Sequence, residues 1–203
     1  MNAQLARSHV RGQCVHPRLH LLRDDLSFDS SPVVLQGRNG FSRKGAKETE
    51  ASYYYSRPQL RVRGTAKGAA VSGLAWLDHE WSSQYMAAEA AGWDWCGLNL
   101  DDGGALMAFR MRGKNGETVF SPPNNSFQML RAWKSPRTGA VYPVSMLVNG
   151  EYRLEPLMDD QELDARASTG TIYWEGAVRA FRGDAQVGRG YLELTGYWRP
   201  MKL

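Results

Sequence analysis

From residue 69 onward the chain alternates apolar and polar residues in short runs rich in aromatic and β-branched side chains, and turn dipeptides punctuate those runs. Period-two alternation cannot present a continuous apolar stripe on a helix, so this stretch is confined to antiparallel sheet. Strands are expected near residues 69–78, 93–100, 105–112, 127–133, 142–147, 152–156, 171–181 and 189–197. Asp101-Asp102-Gly103-Gly104, Asn115-Gly116 and Asn149-Gly150 supply the positive φ that tight hairpins need. Only residues 83–91, with Met86, Ala87, Ala88 and Ala90, suggest a helix, and a short one. Consecutive hairpins of this number favour an all-β, antiparallel barrel with room for one small ligand inside. An open β-sandwich is the alternative.

The N-terminal part differs in texture. Residues 1–32 are basic and aperiodic up to a small apolar cluster at Leu19, Leu21 and Leu22, and are expected to be a poorly ordered lead-in. Residues 33–67 contain Val-Val-Leu-Gln-Gly and Ser-Tyr-Tyr-Tyr-Ser, two short strands with a Gly- and Lys-rich loop between them. The domain expectation is therefore lead-in at 1–32, connecting strands at 33–67 and a barrel at 68–203.

With 203 residues and 42% hydrophobic content the chain can bury one good core. The net charge of +4 is scattered, and a basic run such as residues 57–67 holds only four Lys and Arg. That argues against a nucleic-acid partner, which needs a stripe or patch. Cys14 and Cys96 have no metal-ligand spacing and read as two free thiols. No apolar run suits a transmembrane segment, and the basic N-terminus lacks the core of a signal peptide, so as written the chain reads as cytoplasmic.

Acids recur beside indoles in Trp-Leu-Asp-His-Glu-Trp (Trp76 to Trp81), Gly-Trp-Asp-Trp (Gly92 to Trp95) and Tyr-Trp-Glu-Gly (Tyr173 to Gly176). An apolar setting raises a carboxyl pKa and keeps its proton available near neutral pH, while an indole face stabilises a cation beside it. Such motifs suit acid chemistry on a greasy substrate or a sticky ligand pocket. Regular pleating sends Asp78 and Glu80 to one face of their strand and His79 and Trp81 to the other. His79 is the one histidine in the β region and a candidate for proton transfer, with a hydrogen-bonded structural histidine as the plainer alternative. Asp94, between Trp93 and Trp95, could instead be held in a salt bridge by Arg110, Arg112 or Arg179. Glu175 and Glu193 would share a face if the last two strands pair, and two close carboxyls tend to hold one proton. No nucleophile elbow, phosphate loop, zinc-protease helix or dinucleotide fingerprint is present in the sequence.

Together with Gly-Phe-Ser-Arg-Lys-Gly (Gly40 to Gly45), Ser-Tyr-Tyr-Tyr-Ser (Ser52 to Ser56), Trp-Lys-Ser-Pro (Trp133 to Pro136) and Gly-Tyr-Leu-Glu-Leu-Thr-Gly-Tyr (Gly190 to Tyr197), these motifs resemble the carotenoid 1,2-hydratase (CrtC) and AttH family of lipocalin-like proteins. The resemblance implies two lipocalin-like barrels with a large apolar site near their junction, of which this chain is the C-terminal part with the first barrel missing. On that view residues 33–67 are inter-barrel strands, and relatives are typically secreted or periplasmic. It implies a cofactor-independent, metal-free hydratase or hydrolase acting on a hydrophobic, isoprenoid or lipid-like substrate. The catalytic candidates are Asp78, His79, Glu80 and Asp94, with Trp81 and Trp93 facing the cation. Trp95, Tyr173, Trp174, Glu175 and Glu193 complete the ligand-binding candidates. Two further readings follow: a non-catalytic binder of hydrophobic ligands associated with ABC-type transporter components, and an inactive truncated fragment with an exposed apolar patch.

Overall fold

The computed structural model describes residues 18–21, 24–83 and 86–201. Among these the chain is all β, with fifteen strands in two antiparallel sheets and no helix. Residues 1–17 of the expected lead-in, Cys14 included, lie outside the described part.

The first sheet is built on a long hairpin. β5 (Ala51–Ala66) and β6 (Ala69–Trp81) pair from Ala66↔Ala69 to Tyr53↔Trp81. Lys67 and Gly68 turn the corner with φ of 51° and 82°, the left-handed pair that suits the twist of a two-residue hairpin. β1 (Arg18–Leu21), β2 (Asp24–Phe28), β3 (Val34–Leu35) and β4 (Phe41–Arg43) complete this sheet by pairing with each other or with β5. Residues 18–21 and 24–28 thus form strands where an aperiodic lead-in was expected. The segment 69–78, expected to open the barrel, lies within β6 and pairs with β5 instead.

Residues 86–91 are turn, not helix, with Ala90 N–H donating to Ala87 O. Four alanines favour helix, but so short a run does not repay the cost of nucleating it. The second sheet holds β7 (Gly92–Leu100), β8 (Ala105–Arg112), β9 (Thr118–Phe120), β10 (Phe127–Lys134), β11 (Val141–Val148), β12 (Tyr152–Pro156), β13 (Glu162–Ala165), β14 (Thr171–Arg182) and β15 (Ala185–Leu194). Their order is β10-β11-β12-β14-β15-β7-β8-β9, with β13 alongside the start of β14. The sheet curls into a lipocalin-like barrel around its own core, and among the described residues no ladder joins β9 to β10.

The even-numbered positions of β7, β14 and β15 point inward: Cys96, Leu98, Trp174, Val178, Leu192 and Leu194 meet Tyr142, Val144, Met146 and Leu154. Bulky side chains fill this interior, so it is a packed core and not the ligand chamber that a barrel of this size suggested. The odd-numbered positions face outward, towards the β5–β6 hairpin.

Candidate functional site

Between the outer face of the curled sheet and the β5–β6 hairpin lies a cavity of about 1030 Å³. Period-two pleating decides what it contains. From β7 come Trp93, Trp95, Gly97 and Asn99; from β15, Arg189, Tyr191 and Glu193; from β14, Glu175; from β8, Phe109 and Met111. The hairpin contributes Tyr54, Leu74, Trp76, Asp78 and Glu80, and Lys44 enters from the loop after β4.

Asp78 accepts hydrogen bonds from Ser56 Oγ at 2.5 Å and from Trp76 Nε1 at 2.8 Å. Tyr54 also donates to it, and Tyr54 Oη accepts in turn from Trp95 Nε1 at 3.0 Å, which ties the two sheets together. The residue opens onto the cavity, yet burial of its carboxyl outweighs these three donors and moves its pKa upward. Burial likewise raises the Tyr54 hydroxyl strongly, with the Asp78 charge adding to it.

Two residues along β6, Glu80 pairs with Lys44 Nζ at 2.8 Å and accepts from Ser52 Oγ. The ammonium sits 4.0 Å from the Phe109 ring centroid and 4.7 Å from that of Tyr54. Burial lowers the Lys44 pKa, and the adjacent Glu80 works against that change.

On the opposite wall Glu175 and Glu193 are register partners on the β14–β15 ladder. Burial raises both carboxyl pKa values, and that of Glu193 reaches about 7. Negative charge on Glu175, Glu80 and Asp78 pushes the Glu193 value up, while Trp93 Nε1, donating at 3.1 Å, works in the other direction. Tyr173, beside both glutamates, has its hydroxyl pushed up to about 12, chiefly by burial. Gly97 leaves space for the indoles: a Cβ there would lie 2.5 Å from Trp95, and Trp76 meets Trp95 edge-on with centroids 6.2 Å apart.

The structure therefore gathers Asp78, Glu80, Trp93, Trp95, Glu175 and Glu193 around one space, while Tyr173 is near the two glutamates but does not line it. It places four other candidates elsewhere. His79 and Trp81 lie on the far face of the hairpin, His79 with Nδ1 3.1 Å from Tyr55 Oη and Trp81 stacked on Tyr53. β6 keeps its regular pleat there, so its neighbours Asp78 and Glu80 face away from them. Asp94 is fully buried inside the barrel, where it accepts from Arg110 Nε (2.7 Å), Arg112 Nε (2.8 Å) and Tyr197 Oη (2.9 Å). Trp174 is a wholly buried core residue, its Nε1 donating to Asp159 O.

Lys44, Tyr54, Trp76, Phe109 and Met111 line the cavity without having been singled out as site residues. A signal did exist for Tyr54, since Ser52, Tyr54 and Ser56 share a face. Among the described residues no group of three His, Cys, Asp or Glu is placed to hold a metal ion, and no helix is long and apolar enough to cross a membrane.

The AttH-like family pattern matches residues 6–197. A crystal structure from Nitrosomonas europaea that carries the AttH name shares 49% identity over 90% of this chain, with a TM-score of 0.79. Kievitone hydratase from Nectria haematococca superposes with a TM-score of 0.56 over 86% of the chain at 19% identity, a likeness of fold. The chain spans 65% and 62% of the lengths of these two structures. No curated protein sequence matches it. By the extent of the family match and the identity to the Nitrosomonas protein, the chain belongs to the AttH-like family.

Proposed function

We propose that the cavity between the two sheets is the site of a cofactor-independent hydratase or hydrolase acting on hydrophobic substrates, with Glu193 as its general acid. One observation carries this reading: Glu193 opens onto an indole-lined cavity opposite Glu175 and holds its proton to about pH 7. A carboxyl poised near the working pH is suited to proton transfer.

For an alkene, the Glu193 O–H bond breaks as a C–H bond forms on the substrate. The cation left on the adjacent carbon faces Trp93 and Trp95. Water then bonds to that carbon and gives its proton to a carboxylate, Glu175 or Asp78. The same acid would protonate the carbonyl of an ester before attack by water. Of the acids flagged by the motifs, Asp78 and Glu80 stay in this reading because they line the cavity. His79 and Asp94 leave it, since one lies across the strand and the other inside the barrel.

The test uses kievitone, the compound in the fold relative's name, and 4-nitrophenyl decanoate in isotopically labelled water. The expected result is one labelled oxygen incorporated into one of the probes, with Glu193→Gln slowing the reaction by about 10²- to 10⁴-fold. An undiminished rate in Glu193→Gln removes Glu193 as the acid.

A second reading, a non-catalytic hydrophobic-ligand binder that serves ABC-type transporter components, is favoured by one feature. Asp78 and Glu80 are already occupied by hydrogen-bond and ion-pair partners. Saturable binding of both probes without turnover would support it.

A further inference from the structure

Four residues before Glu193 on the same side of β15 stands Arg189, and β14 sets Arg179 directly opposite it. Side chains so paired have Cβ atoms about 4.5–5.5 Å apart, and like charges in that position repel. Among the described residues neither guanidinium has an ion pair or a side-chain hydrogen bond.

The groups that could neutralise them are engaged or set apart. Glu155, opposite Arg179 on β12, is held by Arg153 and Ser145 Oγ, each at 3.0 Å. Asp101 lines the same end of the cavity without forming an ion pair to either arginine. Asn99, opposite Arg189 on β7, bonds instead to Gln59 N–H and Ala75 O.

Both arginines are exposed, Arg189 at the cavity wall and Arg179 beside it, and between Arg189 and Glu193 the cavity presents apolar side chains. Leu74 and Tyr191 line it while remaining 53% and 50% exposed, beside Trp76 and the side-chain-free Gly97 and Gly190. At the rise of an antiparallel strand, Arg189 lies about 13 Å from Glu193.

We propose that the cavity takes an elongated anionic amphiphile, its carboxylate bridging Arg179 and Arg189 and its hydrocarbon body lying over Leu74, Tyr191 and Trp76 towards Glu193. This rests on the reading of the cavity as a ligand site. It does not depend on Glu193 being an acid catalyst. An anionic head supplies the counter-charge that the cross-strand pair lacks, and a planar guanidinium pair is well shaped to grip a carboxylate.

The test is a tryptophan-fluorescence titration of the whole chain, at fixed ionic strength, with decanoate, decan-1-ol and acetate. Decanoate should bind about tenfold more tightly than decan-1-ol, the scale of a charge-assisted contact. Acetate should give no saturable change. Arg189→Gln and Arg179→Gln should remove the preference for the acid, bringing decanoate affinity down to that of decan-1-ol measured on the same variant. Each variant should also melt at a temperature equal to or above that of the parent, because the repulsion is relieved.

Equal binding of acid and alcohol, a preference that survives both substitutions, or no binding of either overturns the proposal. Turnover is not scored in this titration. Loss of catalysis in the Glu193 experiment therefore bears on the mechanism alone, and loss of head-group selectivity bears on this inference alone.

Discussion

Glu193 stands directly across the β14–β15 ladder from Glu175 and accepts a hydrogen bond from the Trp93 indole at 3.1 Å. Burial raises its pKa from an ordinary 4.5 to about 7, so the folded state prefers the protonated form. The stabilisation from that proton is complete below the unfolded value and is lost as pH rises through about 7. Over this window it amounts to about 3 kcal/mol. Thermal unfolding should therefore show a melting temperature that falls between pH 5 and pH 8 in the wild type. In Glu193→Gln the decline should be largely absent. Parallel profiles for the two proteins would contradict the assignment of that titration to Glu193.

Asp94 presents the opposite case, an acid among tryptophans that is structural. Its two oxygens are taken by Arg110, Arg112 and Tyr197, and Arg112 also donates to Thr195 O and stacks 3.7 Å from the Tyr197 ring centroid. Asp94→Asn leaves the buried Arg112 and the half-buried Arg110 without their counter-charge. The expected loss is about 3–5 kcal/mol in chemical denaturation. At a temperature where the variant is still folded, affinity for cavity ligands should match the wild type.

Much of the second sheet was legible from pleating and turns. The segments 105–112 and 152–156 coincide with β8 and β12, and the facing of Glu175 and Glu193 follows from β14 and β15 being joined by a tight turn. The β5–β6 hairpin was harder to read. β5 runs through Pro58, and the ladder slips between Arg57 and Leu60 where Gln59 adopts a φ of 56°. These features interrupt the alternation that would have marked a sixteen-residue strand. The position of the cavity was not legible, because pleating tells which residues share a face but not which face another sheet will cover. Lys44, Tyr54 and Phe109 meet only through that packing, and Asp94 lies inside the barrel because its strand presents even positions to the core.

Gly97 tests the shape of the cavity floor. An added methyl would lie 2.5 Å from the Trp95 ring and 3.0 Å from that of Trp76, so one indole must move. Gly97→Ala should cost about 1–3 kcal/mol of stability, the usual penalty of overpacking. It should also shift the tryptophan emission and weaken binding of decan-1-ol. Unchanged emission and affinity would mean that the edge-to-face contact of Trp76 and Trp95 does not shape the ligand space.

Asp78 and His79 are neighbours on one strand that face opposite ways, and comparing their variants locates the site. Asp78→Asn replaces a carboxylate that accepts from Ser56, Trp76 and Tyr54 with a group having a single acceptor oxygen. At least one buried donor loses its partner, a cost of about 1–3 kcal/mol, and the Tyr54 bridge to Trp95 is disturbed. His79→Ala removes ring contacts with Tyr55 and Trp81 on an exposed face, about 1 kcal/mol at most. In fluorescence titrations with decan-1-ol, Asp78→Asn should weaken binding several-fold, while His79→Ala should match the wild type. The reverse result would move the ligand across the hairpin, onto the face that carries Tyr53, Tyr55 and Trp81. The resemblance-based assignment of His79 and Trp81 would then hold in place of the cavity.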